Sequence, residues 1–386
     1  MKKNDEVINP VRNRWGKKFL YVTAIACYFV LFSEAVLSSK YYCAIGPEKA
    51  NQDTINNVAA RMETMPVPRG EKDDSADDPA IWIHPKKPDQ SRIIGTDKKG
   101  GLAVYNLNGD QLFYYADGEM NNVDLRYGFA LTKEKTDILA VSNRTSNSIN
   151  LYRINKNGSL EKVHQRELKT EMKDEVYGLC MFKSPKSGKY YVFMNNKEGE
   201  VEQWELFAIG NQVDGRIVRK LKLSGQVEGM VADDEAATLF VGEEKTGIWK
   251  FSAEPDNSVE GTLLAQSSET DNKNILFDIE GLAIYYLARG NGYLIASSQG
   301  NDSYAVFRRE SPYDYLGSFR IADGAIDGVE GTDGLDVTSI PLGKIFPNGI
   351  LVVQDGSNKN EGQPAPQNFK LVSWDSVAGK FTPPLK

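Results

Sequence analysis

Six copies of one short motif, spaced 46 to 53 residues apart, constrain this chain more than any other feature. Each copy is an acidic or polar residue, often followed by Gly, that opens an apolar strand. The copies read D-D-P-A-I-W at Asp78, V-D-L-R-Y at Asp124, V-Y-G-L-C-M-F at Tyr177, V-E-G-M-V-A at Glu228, I-E-G-L-A-I-Y at Glu280 and T-D-G-L-D-V at Asp333. A second motif follows each first one after 16 to 22 residues, centred on Lys98, Arg144, Lys197, Glu244, Gln299 and Asp355. Alternating strands such as L-A-V-Y-N-L and I-N-L-Y-R-I come next, and no ten-residue helical pattern intervenes. A unit of this length cannot bury its apolar face alone and must stack on its neighbours. The spacing predicts an all-β fold, a six-bladed β-propeller in which each blade is a four-stranded antiparallel sheet. Residues 61–386 would form this one domain, with the N- or C-terminal strand closing the last blade. Residues 40–60 read as a linker.

Equivalent positions in a propeller lie on rings about its axis, so the repeat converts spacing into geometry. The first ring would be Asp78, Asp124, Tyr177, Glu228, Glu280 and Asp333, five of them carboxylates. The second would be Lys98, Arg144, Lys197, Glu244, Gln299 and Asp355, cationic over three blades and then acidic or amide. Asp77, Asp278 and Asp327 add carboxylates beside the acidic arc. An acid before Gly is also ordinary turn chemistry, and a lone Lys or Arg is an ordinary solvated charge. Six copies in register, with one change of sign round the ring, favour a site. Asp73 and Asp74 read as solvated, His84 and His164 as structural or surface residues, and Trp82, Trp204 and Trp249 as inter-blade core.

Composition narrows the chemistry. The chain has 386 residues, 53 Asp+Glu against 46 Lys+Arg, and only two histidines. Imidazole is the commonest general base and transition-metal ligand, so a multi-histidine zinc site is excluded. Converging carboxylates repel unless cations sit among them, and without histidine several Ca²⁺ ions are the natural choice. A Lys/Arg/Lys arc beside calcium suits a phosphate-rich polyanion. Water activated between metals would then hydrolyse a phosphate ester without a covalent enzyme intermediate. A calcium-dependent lactonase or esterase, and a propeller that only binds polyphosphate, are the rival readings. A net charge of −7 argues against nucleic acid as a partner. Basic residues before an apolar run of 14 residues, Phe19–Phe32, read as a signal peptide or N-terminal anchor over 1–39, which implies export. Beyond such an anchor no membrane contact is expected, and a monomer is. Of Cys27, Cys43 and Cys180, none forms a CxxC pair; Cys180 reads as a small buried hydrophobe.

Longer strings carry a family resemblance. D-D-P-A-I-W, N-N-V-D-L-R-Y, E-V-Y-G, K-E-G-E-x-E-Q, E-G-M-x-A-D-D-E, I-W-K-F-S-A-E-P-D, D-I-E-G-L-x-I-Y-Y, A-S-S-Q-G-N-x-S-Y, T-D-G-L-D-V and Q-N-F-K run in order from about residue 60 to the C-terminus. Together they resemble the Bacillus-type β-propeller phytases. That resemblance implies a six-bladed propeller, calcium dependence and hydrolysis of myo-inositol hexakisphosphate (phytate), usually as a 3-phytase with a cleavage site and an affinity site. By motif it implies calcium ligation at the cleavage site by Asp77, Glu228, Glu244, Asp278 and Glu280. Phosphate contacts would come from Lys98, Arg144, Tyr177 and Lys197. Gln299 and Asp333 match a further metal-linked site, and Asp78 and Asp327 match structural or affinity-site calcium positions. Two departures, G-T-D-K-K-G-G and Gly128 in R-Y-G-F, bear on loop calcium binding rather than on the reaction.

Overall fold

The computed structural model describes residues 54–68 and 74–386. The expected signal or anchor, Cys27, Cys43, Asp73 and most of the expected linker lie outside the described residues. Six small antiparallel sheets account for almost all the described secondary structure. Their innermost strands are Ala76–Trp82, Met120–Ala130, Val176–Lys183, Val227–Asp233, Ile279–Tyr286 and Leu335–Thr338, in blades 1 to 6. Each innermost strand packs on the next, and the sixth packs on the first, so the ring closes as a six-bladed propeller.

The packing follows from burial on both faces. A strand such as Leu179–Phe182 touches the neighbouring blades with each side, so it is apolar throughout rather than alternating. The core is correspondingly divided into layers between adjacent blades. Ala80, Trp82 and Ile94 of blade 1 meet Val123, Leu139 and Val141 of blade 2. Leu282, Ile284 and Leu294 of blade 5 meet Phe240 and Ile248 of blade 4. Trp82 and Trp204 sit in such layers, while Trp249 is only partly buried against one. The Trp82 indole also donates to Asp137 of the next blade at 2.9 Å.

Closure comes from the N-terminal end. Blade 6 takes three strands from the C-terminal region and its outer strand from Met62–Glu63, antiparallel to Asn368–Ser373. Ile55–Ala59 adds a fifth strand, parallel to Tyr315–Ala322, at the outer edge of blade 5. The linker expected over 40–60 therefore ends earlier, because Ile55–Ala59 pairs into the domain. One segment thus ties two blades together, and no open gap is left between the chain's first and last blades.

Four glycines fix how tightly the blades approach. A Cβ on Gly178 would lie 1.9 Å from the Glu228 carbonyl oxygen, and one on Gly229 would lie 1.9 Å from that of Glu280. For Gly281 and Gly334 the carbonyls of Asp333 and Asp77 would be 2.8 Å and 2.6 Å away. Gly in these motifs serves close contact with the next blade rather than a turn. Gly229→Ala is expected to cost about 1–3 kcal/mol by overpacking, read as a lower urea midpoint. An unchanged midpoint would show that the blades spread freely there.

Candidate active site at the propeller mouth

A bulge at the start of the inner strand places each ring residue. In blades 1 to 5, two inner-strand residues face a single residue of the neighbouring strand: Asp77–Asp78, Asn121–Asn122, Tyr177–Gly178, Glu228–Gly229 and Glu280–Gly281. Such a bulge re-aims one side chain out of the ladder. Its second N–H loses a ladder partner and is satisfied elsewhere. Asp78 N donates to Thr96 Oγ1 at 2.9 Å, Asn122 N to Ser142 Oγ at 3.0 Å and Gly178 N to Asn195 Oδ1 at 2.7 Å. Gly281 N reaches the Asp333 carbonyl at 3.2 Å in the next blade.

The strand register corrects both expected rings. Pro79, Val123, Leu179, Met230, Leu282 and Leu335 occupy equivalent ladder positions. The first ring is therefore Asp77, Asn121, Tyr177, Glu228, Glu280 and Asp333. Asp78 stands one position further along, where four other blades have Gly, and its Oδ2 accepts from Val123 N at 3.0 Å. Asp124 stands three positions beyond the ring residue Asn121, equivalent to Asp336, and is held by Arg126 at 2.9 Å. In the second ring the same register replaces Asp355 with Gly356. Asp355 lies instead beside Lys370, at 3.2 Å.

The corrected ring converges. Glu228, Glu244 and Glu280 are all buried, and one oxygen from each lies within 4.8 Å of the others. Glu244 Oε1 and Glu280 Oε2 are buried without a hydrogen-bond partner. Glu228 and Glu280 share a hydrogen bond, and the Tyr177 hydroxyl donates to Glu228. Burial, then neighbouring carboxylates, pushes Glu280 well above the usual range, and burial raises Glu228 and Glu244 as well. Tyr177 is raised by burial and by Glu228, so the phenol stays protonated as a donor. Asn121, absent from the sequence-derived set, links two blades: its Nδ2 donates to Asp77 Oδ2 at 2.9 Å and Glu228 Oε1 at 2.6 Å. Only its N-N-V-D context marks it in the sequence.

Lys98 is the cation inside the ring. Its ammonium bonds Asp74 at 2.6 Å, Asp77 at 3.0 Å and Asp333 at 3.2 Å. Burial opposes its charge, but these acids outweigh burial and hold it protonated. Asp74, expected to be merely solvated, is thus part of the mouth. Burial raises Asp77 and Asp333 to about 7 despite Lys98. Gln299 Nε2 donates to Asp333 Oδ1 at 2.6 Å, so those two stand together. Arg144 is bonded by Glu175 at 2.5 Å and reaches Asn121 Oδ1 at 3.5 Å. The Lys197 ammonium sits 4.4 Å from the Tyr177 ring centre. Asp278 is paired with Lys245.

Two of the predicted metal positions lie apart from this cluster. Asp78 faces a cavity of about 340 Å³ deeper along the inner strands, walled also by Asp124, Arg126 and Asp336. Asp327 is on blade 6's outer side, bonded at 2.5 Å to Lys370. Cys180 is buried in the inner strand of blade 3, and His84 and His164 make local backbone contacts away from the mouth.

A propeller mouth that sets buried, under-partnered carboxylates against an arc of Lys and Arg is the frame of a hydrolase for anionic substrates. The comparisons with known proteins agree. A model of the Phytase family matches residues 18–385. The 3-phytase of Bacillus subtilis (strain 168) is 45% identical over 342 residues, 87% of this chain and 88% of that protein. A structural-genomics protein of unknown function from Bacteroides thetaiotaomicron superposes with a TM-score of 0.50 at 10% identity, covering 82% of this chain and 75% of that one. The last likeness concerns the fold alone. The chain belongs to the phytase family and is an enzyme of that class.

Proposed function

We propose that this protein hydrolyses phosphate monoesters of phytate in a calcium-dependent reaction, releasing inorganic phosphate. The observation that carries the reading is the trio Glu228, Glu244 and Glu280, with two buried oxygens left without partners. Three buried carboxylates with no cation among them would be strongly disfavoured. An all-oxygen donor set of this charge fits a hard divalent ion such as calcium. Asp278 and Asp77 would complete the ligand set, with Gln299 and Asp333 at an adjoining position. Bound there, calcium would neutralise phosphoryl oxygens and lower the pKa of an attacking water.

The chain's own residues divide the rest of the work. Lys98, Arg144 and Lys197 bind phosphate oxygens, and Arg144 can do so in bidentate fashion once Glu175 releases it. Tyr177 donates a hydrogen bond. Water attacks phosphorus in line; the new P–O bond forms as the bond to the inositol oxygen breaks, and that oxygen leaves with the electron pair. The attacking water gives up a proton and the leaving inositol oxygen takes one; a carboxylate oxygen of Glu228 or Glu280 not engaged by the metal can carry it between them. Asp78 and Asp327 lie outside this set, and no role in the reaction is assigned to them. The N-terminal residues 1–39 are read as an export signal or anchor, and the protein as an exported monomer.

Phosphate release from phytate, measured with calcium and then with an excess of chelator, tests the reading. Activity is expected to vanish with the chelator; equal rates would overturn calcium dependence, and binding without release would make the protein a polyphosphate carrier. The pH dependence has a definite sign. Asp77 and Asp333 have folded-state values of about 7 against 3.8 when unfolded. In the metal-free protein their protonation stabilises the fold fully below about pH 4, and this is lost as pH rises through about 7. Calcium needs the ionised carboxylates, so its affinity is expected to rise over the same window. Melting curves with chelator should therefore fall toward neutral pH, and those with calcium should not.

A further inference from the structure

We propose that Lys245 is a built-in competitor for the cation at the glutamate cluster, a positioning residue that sets how tightly the metal is held. The inference rests on the calcium reading above and deepens it. Lys245 follows Glu244 in the turn between Thr238–Glu243 and Gly247–Ser252 of blade 4. Its ammonium pairs with Asp278, which stands two residues before Glu280 in blade 5. The pair therefore bridges the two blades that supply the three clustered glutamates.

Its setting differs from that of the other mouth cations. Lys98 is buried among Asp74, Asp77 and Asp333. Arg144 is fixed by Glu175, and Lys197 lies over the Tyr177 ring. These three belong to the arc that faces substrate. Lys245 alone among them stands in the acidic half. The Lys245 side chain is 71% exposed, so its long stem can swing into solvent. A dication taken up by Asp278 and Glu244 would repel an ammonium bonded to the same carboxylate. The lysine must then leave, and metal binding carries the cost of breaking the pair. An exposed ion pair is worth little, which sets the scale of the effect.

Calcium titration of the full chain by calorimetry, with calcium as the only ligand, reads this directly. The relevant binding step is the one that Glu228→Gln abolishes. Lys245→Gln is expected to tighten that step roughly two- to fivefold. The gain should shrink when salt is raised from about 50 to about 500 mM, as the exposed pair is screened. Lys245→Arg keeps the charge and should keep the wild-type affinity. If Glu228→Gln and the wild type titrate alike, the metal site itself is wrong and the proposal falls with it. If the step is present but Lys245→Gln leaves it unchanged, the competitor role alone is overturned. A raised KM for phytate with unchanged calcium affinity would also overturn it, by making Lys245 a phosphate contact.

Discussion

Glu228→Gln is expected to lower kcat for phosphate release from phytate by at least about 10²-fold, the scale for removing one preorganised electrostatic group. The folded protein should survive the change. The amide is the same size, and its oxygen can still accept from Asn121 Nδ2 and the Tyr177 hydroxyl. Its NH₂ group can donate to Glu280, whose carboxyl shares a hydrogen bond with Glu228 in the parent. What disappears is one negative charge on the glutamate trio. Circular dichroism and the melting temperature with chelator should match the wild type, while the rate and the calcium-dependent rise in melting temperature should not. Wild-type turnover by this variant would remove Glu228 from the site. A variant that fails to fold would instead assign Glu228 a structural role.

The largest stability effect is expected outside the glutamate cluster. The Lys370 ammonium is fully buried and bonds Glu63 and Asp327 at 2.5 Å, Asn358 Oδ1 at 2.9 Å and Asp355 at 3.2 Å. Glu63 belongs to the N-terminal strand that closes blade 6, so this one cation ties the start of the propeller to its end. Burial already pushes Asp355 up to about 6 with the lysine present. Lys370→Met keeps the volume and leaves three carboxylates without their cation. Breaking a buried pair from one side costs about 3–5 kcal/mol, which urea unfolding with chelator present would read. Adding Asp327→Asn and Asp355→Asn to the same chain should recover much of the loss, because the uncompensated charge goes with them. A single variant as stable as the parent would show that the cluster does not depend on Lys370. Asp327, apart from the glutamate cluster, has its charge met by this ammonium instead.

The repeat made most of the fold legible. Blade number followed from six motif copies, and the apolar inner strands followed from runs such as I-E-G-L-A-I-Y. The motif spacing puts Tyr177, Glu228, Glu280 and Asp333 on the first ring, and Lys98, Arg144, Lys197, Glu244 and Gln299 on the second, as the strand register does. The same spacing also puts Asp78, Asp124 and Asp355 on a ring, where the register does not. Their motifs hold two acids close together, as in Asp77–Asp78, or an acid some residues from a less conspicuous ring position, as with Asn121 and Asp124. Charge alone cannot say which of them turns upward. Asn121 is not legible from charge, because an amide among carboxylates carries no charge signal, although it joins Asp77 to Glu228.

Residue types and period were properties of the sequence: how many blades, which half of the mouth is basic, where glycine is needed for one blade to meet the next. Side-chain direction was decided by tertiary structure. Successive residues of a strand point to opposite faces, so a bulge of one residue changes which side chain reaches the mouth. Closure also waited for the fold, since Met62–Glu63 pairs with residues some three hundred positions away only once the ring brings them together. Local pattern records what a residue can do; the register and the ring decide what it meets.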